Sequence, residues 1–363
     1  MRRCLVSPVS LLVASLLLVS AMPALAQTAT PAAAPTARTV PPTPPLRRWI
    51  DVQAFTVASR YRRIETSANE VTANHVQYNE RLRARFNLDR KKRYTLTAQL
   101  LTGPTWTASW ITTGIGTGTS NWSDHHIRHL FASAMPVAGV EAQAGSLIIA
   151  RGESTEITTW DDDGLMVGGR LSVRRPAALH LDEVSVSHGT IASAGTPSAW
   201  AHRHDLDATN YTQALVAKKV SARVSASADY TRVQHTETLR AAAAVRLPAS
   251  APVSAVRYEQ YARVTGTRAA GFAVTAERSV TARVRLRGGY ATVDPHYGSL
   301  NGDRYFRGRR VFAFADIKLR GVVSATLYGT QALSSPTVIP VKRRMDAVLN
   351  VDLLAWLQQK GRL

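Results

Sequence analysis

The chain has 363 residues, 45 Lys plus Arg against 25 Asp plus Glu, a formal charge of +20 and a single cysteine. A content of 45% hydrophobic, 19% charged and 7% aromatic residues excludes both a disordered polyelectrolyte and a bundle of membrane helices. The length fits one large domain or two ordinary ones.

Arg2 and Arg3 precede an apolar run from Leu11 to Val19 that only Ser15 interrupts, and Ala24-Leu25-Ala26 places small residues at both cleavage positions. This is the pattern of a secretory signal peptide over residues 1–26, with cleavage expected before Gln27. The run is too short to span a bilayer as a helix. Cys4 lies ahead of it, so the mature chain is expected to hold no thiol; disulfides, cysteine zinc sites and iron–sulfur clusters are excluded, and no cofactor is expected. Residues 27–47 carry Pro31, Pro35, Pro41, Pro42, Pro44 and Pro45, which suppress helix and sheet and suit a flexible periplasmic linker.

From Trp49 onward the hydrophobic period is two. In the run Arg81, Leu82, Arg83, Ala84, Arg85, Phe86, a strand gathers three arginines on one face and Leu, Ala and Phe on the other, whereas a helix would scatter them. Arg283, Arg285 and Arg287 repeat the device against Ala282, Val284 and Leu286; Arg257, Glu259, Tyr261 and Arg263 oppose Val256, Tyr258, Ala262 and Val264. The alternation places strands near 49–62, 75–88, 93–106, 126–135, 140–149, 165–175, 179–191 and 210–219. It continues near 224–234, 238–247, 255–265, 271–280, 282–293, 310–319, 322–333 and 343–357, giving sixteen.

Links after even-numbered strands are short, as in Asp89-Arg90-Lys91-Lys92, Pro136 to Gly139 and Arg320-Gly321. Those after odd-numbered strands are mostly long and polar: Ile111 to Asp124, Ala150 to Gly164, Ala192 to Thr209 and Asp294 to Arg309. Loops sorted by length, an even strand count and both termini at the short-turn end define an all-β antiparallel transmembrane β-barrel over residues 48–363, with short periplasmic turns and long extracellular loops. Closure removes the sheet edges and gives the polar face of each strand a wet interior. A soluble all-β protein is the lesser alternative.

These features resemble the bacterial outer-membrane porins, in the broad group of general diffusion and alginate-export-like barrels. The resemblance is one of strand pattern from Trp49 to Leu363. The chain departs from the group at its end, Gly361-Arg362-Leu363, where such barrels usually finish in an aromatic residue. It implies that the loop after the fifth strand, Ala150 to Gly164, folds into the lumen with Glu153, Glu156, Asp161, Asp162 and Asp163 facing basic wall residues. Arg81, Arg83, Arg85, Arg257, Arg263, Arg283, Arg285 and Arg287 are the candidate pore-lining cations. Opposed to that acidic loop they would favour anions. The competing role is wall stiffening, with the arginines paired to Glu183, Asp229, Glu259 and Glu277 on neighbouring strands.

The expected activity is passive diffusion of small hydrophilic solutes through the bacterial outer membrane. Outer-membrane lipid surrounds the barrel, and a homotrimer is one assembly the resemblance allows. A structural or adhesive barrel with a loop-plugged lumen is the second reading. Nucleic acid is not an expected partner, because the cations lie along strand faces of an exported chain. An enzyme is not expected: Ser185 and Ser187 point away from His188, so a membrane-embedded hydrolase finds no nucleophile and base there. Asp161-Asp162-Asp163-Gly164 lacks the spacing of a calcium loop. His125, His126, His129, His202 and His204 read as exposed loop residues rather than metal ligands. Trp49, Trp106, Trp110, Tyr94, Tyr258, Tyr290, Tyr328 and Trp356 fall near strand ends and suit interfacial girdles.

Overall fold

The computed structural model describes residues 49–104, 109–113, 125–154, 164–175, 180–191, 198–202, 209–294, 308–333 and 341–362. The signal segment, the Pro-rich linker, Glu156, Asp161, Asp162, Asp163, Trp106 and His204 lie outside the described residues.

Two long strands, β1 (Ile50–Thr66) and β2 (Val71–Asn87), are followed by β3 (Tyr94–Thr102), the short β4 (Ile111–Thr113), β5 (His125–Val137) and β6 (Val140–Ile148). Next come β7 (Leu165–Arg174), β8 (Glu183–Thr190), β9 (Tyr211–Lys219), β10 (Val224–Val233), β11 (Thr236–Arg246) and β12 (Ala255–Arg263). The chain ends with β13 (Ala269–Ser279), β14 (Val284–Val293), β15 (Gly308–Lys318), β16 (Val323–Ala332), β17 (Val341–Asp352) and the helix α1 (Leu353–Gln359). Apart from β4, successive strands pair antiparallel, and β1 pairs with β17 in a register that sets Arg62 opposite Asp346, so the sheet closes on itself.

β3 and β4 share one edge of β2, pairing along Arg81–Asn87 and Val76–Tyr78 respectively. Gly103, at a φ of 119°, and Pro104, which has no N–H to give, break that strand in two. The seventeen segments therefore occupy sixteen wall positions, the number the alternation predicts. No described helix is long and apolar enough to cross a membrane; a barrel crosses by its strands.

Of the boundaries that differ from the sequence reading, three bear on the site or the chain end. The last strand stops at Asp352, whose carboxylate accepts from the Ala355 N–H at 2.9 Å and caps α1, where an unbroken strand to 357 is expected from the alternation. The strand expected from 282 begins at Val284, which leaves Arg283 exposed in the preceding turn and off the wall. The strand expected to reach 106 ends at Thr102.

The faces sort as a closed barrel requires. On β2, Leu82 and Phe86 are exposed apolar residues on the outside, while Gln77, Asn79, Arg81, Arg83 and Arg85 share the inner face. Val186, Leu171, Leu327, Met345 and Leu349 continue the exposed apolar outer surface on other strands. Two apolar clusters interrupt the polar inner face. Tyr261, Ala273, Ala291, Val293, Phe312, Phe314 and Tyr328 form one across β12 to β16; Phe131, Leu147, Leu165, Met166 and Tyr211 belong to the other. At Gly289 a Cβ would stand 2.6 Å from the Phe312 ring, so the missing side chain admits that ring to the cluster.

Candidate functional site

The polar inner wall is built from arginines, each placed by the two-residue period of its strand. On β1, Arg60 donates to Gln77 Oε1 at 2.7 Å and lies 4.1 Å over the Trp110 ring. Two residues on, Arg62 forks onto both carboxylate oxygens of Asp346 at 3.0 Å, and Arg344 of β17 reaches the same carboxylate at 2.6 Å. All three groups are nearly buried, so this is a fixed cluster of two guanidiniums on one acid. Arg81, Arg83 and Arg85 follow on β2, half-buried; Arg85 pairs with Asp51 at 2.6 Å.

Further round the barrel, Arg240 and Asp229 are fully buried and bonded at 2.9 Å and 3.0 Å. On β14, Arg285 and Arg287 converge on Asp316 of β15 at 3.1 Å and 3.6 Å, Arg285 also lies 3.9 Å from Glu277, and Arg287 stacks 4.4 Å over Phe314. Arg263, the last residue of β12, donates to the Thr265 carbonyl at 3.0 Å at the long-loop rim, apart from the other arginines. Glu183 and Glu259 lie on inner faces, Glu183 at the short-turn end of β8 and Glu259 buried on β12.

The loop after β6 enters this space. Gln213 of β9 donates to the Ala150 carbonyl at 2.8 Å, the Glu153 N–H donates to Ser227 Oγ of β10 at 2.7 Å, and the Glu153 carboxylate lies 3.8 Å from Arg257 of β12. Glu153 is five residues past Ile148, yet it meets a strand six wall positions away. That path along the wall is about 29 Å at about 4.8 Å per strand. Gln213, Ser227 and Arg257 all stand on inner faces, so with the side chains reaching toward each other the contact is made inside the barrel. Gly152 allows the turn: its φ is +57°, and a Cβ would stand 2.5 Å from Ser227 Oγ. Below the turn lies a cavity of about 340 Å³ lined by Glu153, Asp182, Lys219, Arg223 and Arg246 among others.

The fold thus brings Glu153 and Arg257 together and holds Arg81, Arg83, Arg85, Arg285 and Arg287 on the inner face; Arg283 is not among them. Several inner residues escape the sequence reading: Arg60, Arg62, Arg344 and Asp346 form the densest charge cluster, and their pairing exists only after closure joins β1 to β17. Two girdle assignments are corrected. Tyr328 is buried in the inner aromatic cluster, and Trp110 stacks on Arg60. His129 and His202 are buried, not exposed, while His125 is exposed and bonded to Glu80 at 2.7 Å. His188 points outward onto Thr212 at 3.0 Å, and Ser187 faces inward to accept from Arg170 at 3.0 Å. No group of three or more metal-ligating side chains occurs among the described residues.

No protein-family model and no curated protein matches the chain. Solved structures of bacterial porins share its fold. The Salmonella typhi OmpF complex with daunomycin superposes with a TM-score of 0.55 at 10% identity, over 83% of this chain and 97% of that one. Two variants of the Rhodopseudomonas blastica porin superpose with TM-scores of 0.53 and 0.52, each at 10% identity over 84% of this chain and 99% of theirs.

Proposed function

We propose that the protein is a bacterial outer-membrane pore for passive diffusion of small hydrophilic solutes, with a preference for anions. The observation that carries this reading is the segment 150–154, which lies inside a closed sixteen-strand barrel and seats Glu153 beside Arg257. An inward loop narrows a wet lumen without filling it, and arginines on the facing wall then act on each passing solute. Residues 1–26 serve as the export signal, residues 27–47 as the periplasmic linker, and Glu156, Asp161, Asp162 and Asp163 extend the acidic side of the constriction. No chemistry is assigned to the lumen, and the protein acts as a channel, not an enzyme.

Single-channel recording in a planar bilayer tests the pore. Discrete conductance steps are expected, and their absence from folded, inserted protein would favour the loop-plugged structural barrel. Selectivity is tested by replacing Arg81, Arg83 and Arg85 with Ser. Reversal potentials should move toward cations at low salt, with the shift fading as the screening length falls from about 10 Å at 0.1 M to about 3 Å at 1 M. Replacing Asp161, Asp162 and Asp163 with Asn should move them the other way. Orientation is read by Lys91→Cys and Ser198→Cys: an impermeant maleimide on whole cells should label position 198 and spare position 91.

A further inference from the structure

The described connections at the two ends of the barrel differ in charge. Five of the seven turns at the short-turn end carry an exposed cation: Lys91 between β2 and β3, Arg175 after β7, Arg223 before β10, Arg283 before β14 and Arg320 after β15. Lys360 adds a sixth just after α1, at the same end. Among the described residues none of these six side chains forms an ion pair. At the other rim, the connections 67–70, 234–235 and 264–268 carry one acid, Glu70, and one cation, Arg268.

Exposed apolar side chains occupy the same short-turn rim. Leu88 (62% exposed), Val137 (64%), Val280 (52%) and Leu319 (45%) stand at the strand ends, each within or beside a turn. Tyr94 and Trp356 are exposed there too. Apolar groups at the strand ends with cations just beyond them match the depth order of a lipid leaflet, hydrocarbon first and headgroup next.

We propose that this rim is a binding collar for phospholipids whose headgroups carry net negative charge, of the phosphatidylglycerol type, in the periplasmic leaflet; the proposal rests on the outer-membrane reading above. The distribution argues for lipid over a protein or polymer partner. Cations on turns spread round the perimeter face every side of the barrel, as an annulus of lipid does, whereas one docked partner would meet a few neighbouring turns. The short turns carry eight described cations against two acids, Asp89 and Asp182, and that surplus favours an anionic headgroup over a zwitterionic one, whose ammonium it would repel.

The test is electron paramagnetic resonance of the barrel in phosphatidylcholine vesicles containing trace spin-labelled phosphatidylglycerol or phosphatidylcholine. The protein-associated fraction of the anionic label should exceed that of the zwitterionic label by about two- to five-fold at low salt and fall toward equality in 1 M salt, as surface attraction to cations requires. The combined Lys91→Ser, Arg175→Asn and Arg320→Ser variant should lose the excess and conduct as the parent does. Removal of Arg232, Arg268 and Arg309 at the opposite rim should leave the excess in place. Equal association of both labels with the parent protein, or equal loss in the two triple variants, overturns the collar. A protein that conducts yet shows no preference retires the collar and leaves the pore; one that never inserts retires both. Should the collar triple variant not fold, Lys91→Ser and Arg320→Ser singly must each lower the ratio, and an unchanged ratio in both counts against the proposal.

Discussion

The sector made by β17, β1 and β2 and the sector from β12 to β16 solve the same problem in opposite ways. Each has to hold an inner face in one arrangement beside a wet lumen. In the first, Arg62 and Arg344 share Asp346, and Arg60 binds Gln77 and stacks on Trp110. In the second, Tyr261, Phe312, Phe314 and Tyr328 pack together, with ring centroids of Phe314 and Tyr328 4.6 Å apart. Charge pairs keep an electric field at the wall while immobilising it; aromatic packing immobilises the wall and presents little field. The inner surface is therefore uneven: the first sector is held by charge pairs, whereas in the second Arg257, Arg285 and Arg287 stand beside an aromatic cluster.

Breaking each sector should show the difference. Asp346→Ala leaves two nearly buried guanidiniums without their common acceptor, and the expected cost is about 3–5 kcal/mol, the range for removing one partner of a buried pair. Conductance and selectivity should change with it, because both arginines are released toward the lumen. Phe314→Ala opens a void in the aromatic cluster at an expected cost of about 3 kcal/mol. It also removes the face under Arg287, yet reversal potentials should stay close to the parent's, since Asp316 still holds that guanidinium. Urea unfolding followed by heat-modifiable gel migration gives the stabilities, and planar-bilayer recording gives the selectivity. Equal shifts of reversal potential in the two variants would erase the distinction between the sectors.

The outer face supplies a depth scale for the same comparison. Leu327 stands mid-strand on β16, and Leu286 is the third residue of β14, beside the short-turn rim. An arginine at Leu327 should cost about 2–3 kcal/mol, and one at Leu286 about 1 kcal/mol or less, because lipid-face cations are penalised by depth. Equal penalties would mean that no hydrocarbon surrounds the barrel.

How much of this can be read in the sequence depends on whether a feature is local. The strands are legible because a period of two repeats sixteen times, and each repeat adds to the same signal. Arg81, Arg83 and Arg85 are placed correctly on one face by that period alone. Phe312 and Phe314 are not, because the alternate positions Val311, Ala313 and Ala315 are apolar as well, so alternation gives no sign of which face turns inward. Tyr328 reads as a girdle residue for the same reason: an aromatic side chain satisfies either a lipid interface or an apolar cluster. The sharing of Asp346 spans 284 positions to Arg62 and depends on closure, which no local pattern encodes. The seat of the inward loop is likewise remote, since Gln213, Ser227 and Arg257 lie 63, 74 and about 100 residues away from the groups they hold. α1 escapes because Leu353 to Trp356 continue the apolar character of the strand before it, and only the capping geometry of Asp352 separates the two.

The smallest effect concerns the turn between β2 and β3, where the rim cations are densest. Asp89 accepts from the backbone N–H groups of Tyr94 at 2.9 Å, Arg93 at 2.6 Å and Lys91 at 3.2 Å. These bonds, the one from Tyr94 foremost and with help from the Arg93 charge, hold its carboxyl below the ordinary aspartate value of 3.8. A lowered pKa in the folded turn means that the ionised form is the one that stabilises it. The contribution is complete above the unfolded value and fades as pH falls through the lower, folded one. Amide exchange of residues 91–94 should therefore quicken below about pH 4, relative to the acid trend seen in other short turns. Asp89→Asn should remove that excess acid sensitivity. It should also leave the anionic-lipid preference of the rim unchanged or raised, because the cations stay while a nearby negative charge goes. An acid response that persists in Asp89→Asn would place its origin in another carboxylate, and a fall in lipid preference would show that the turn's shape, not its charge, governs the rim.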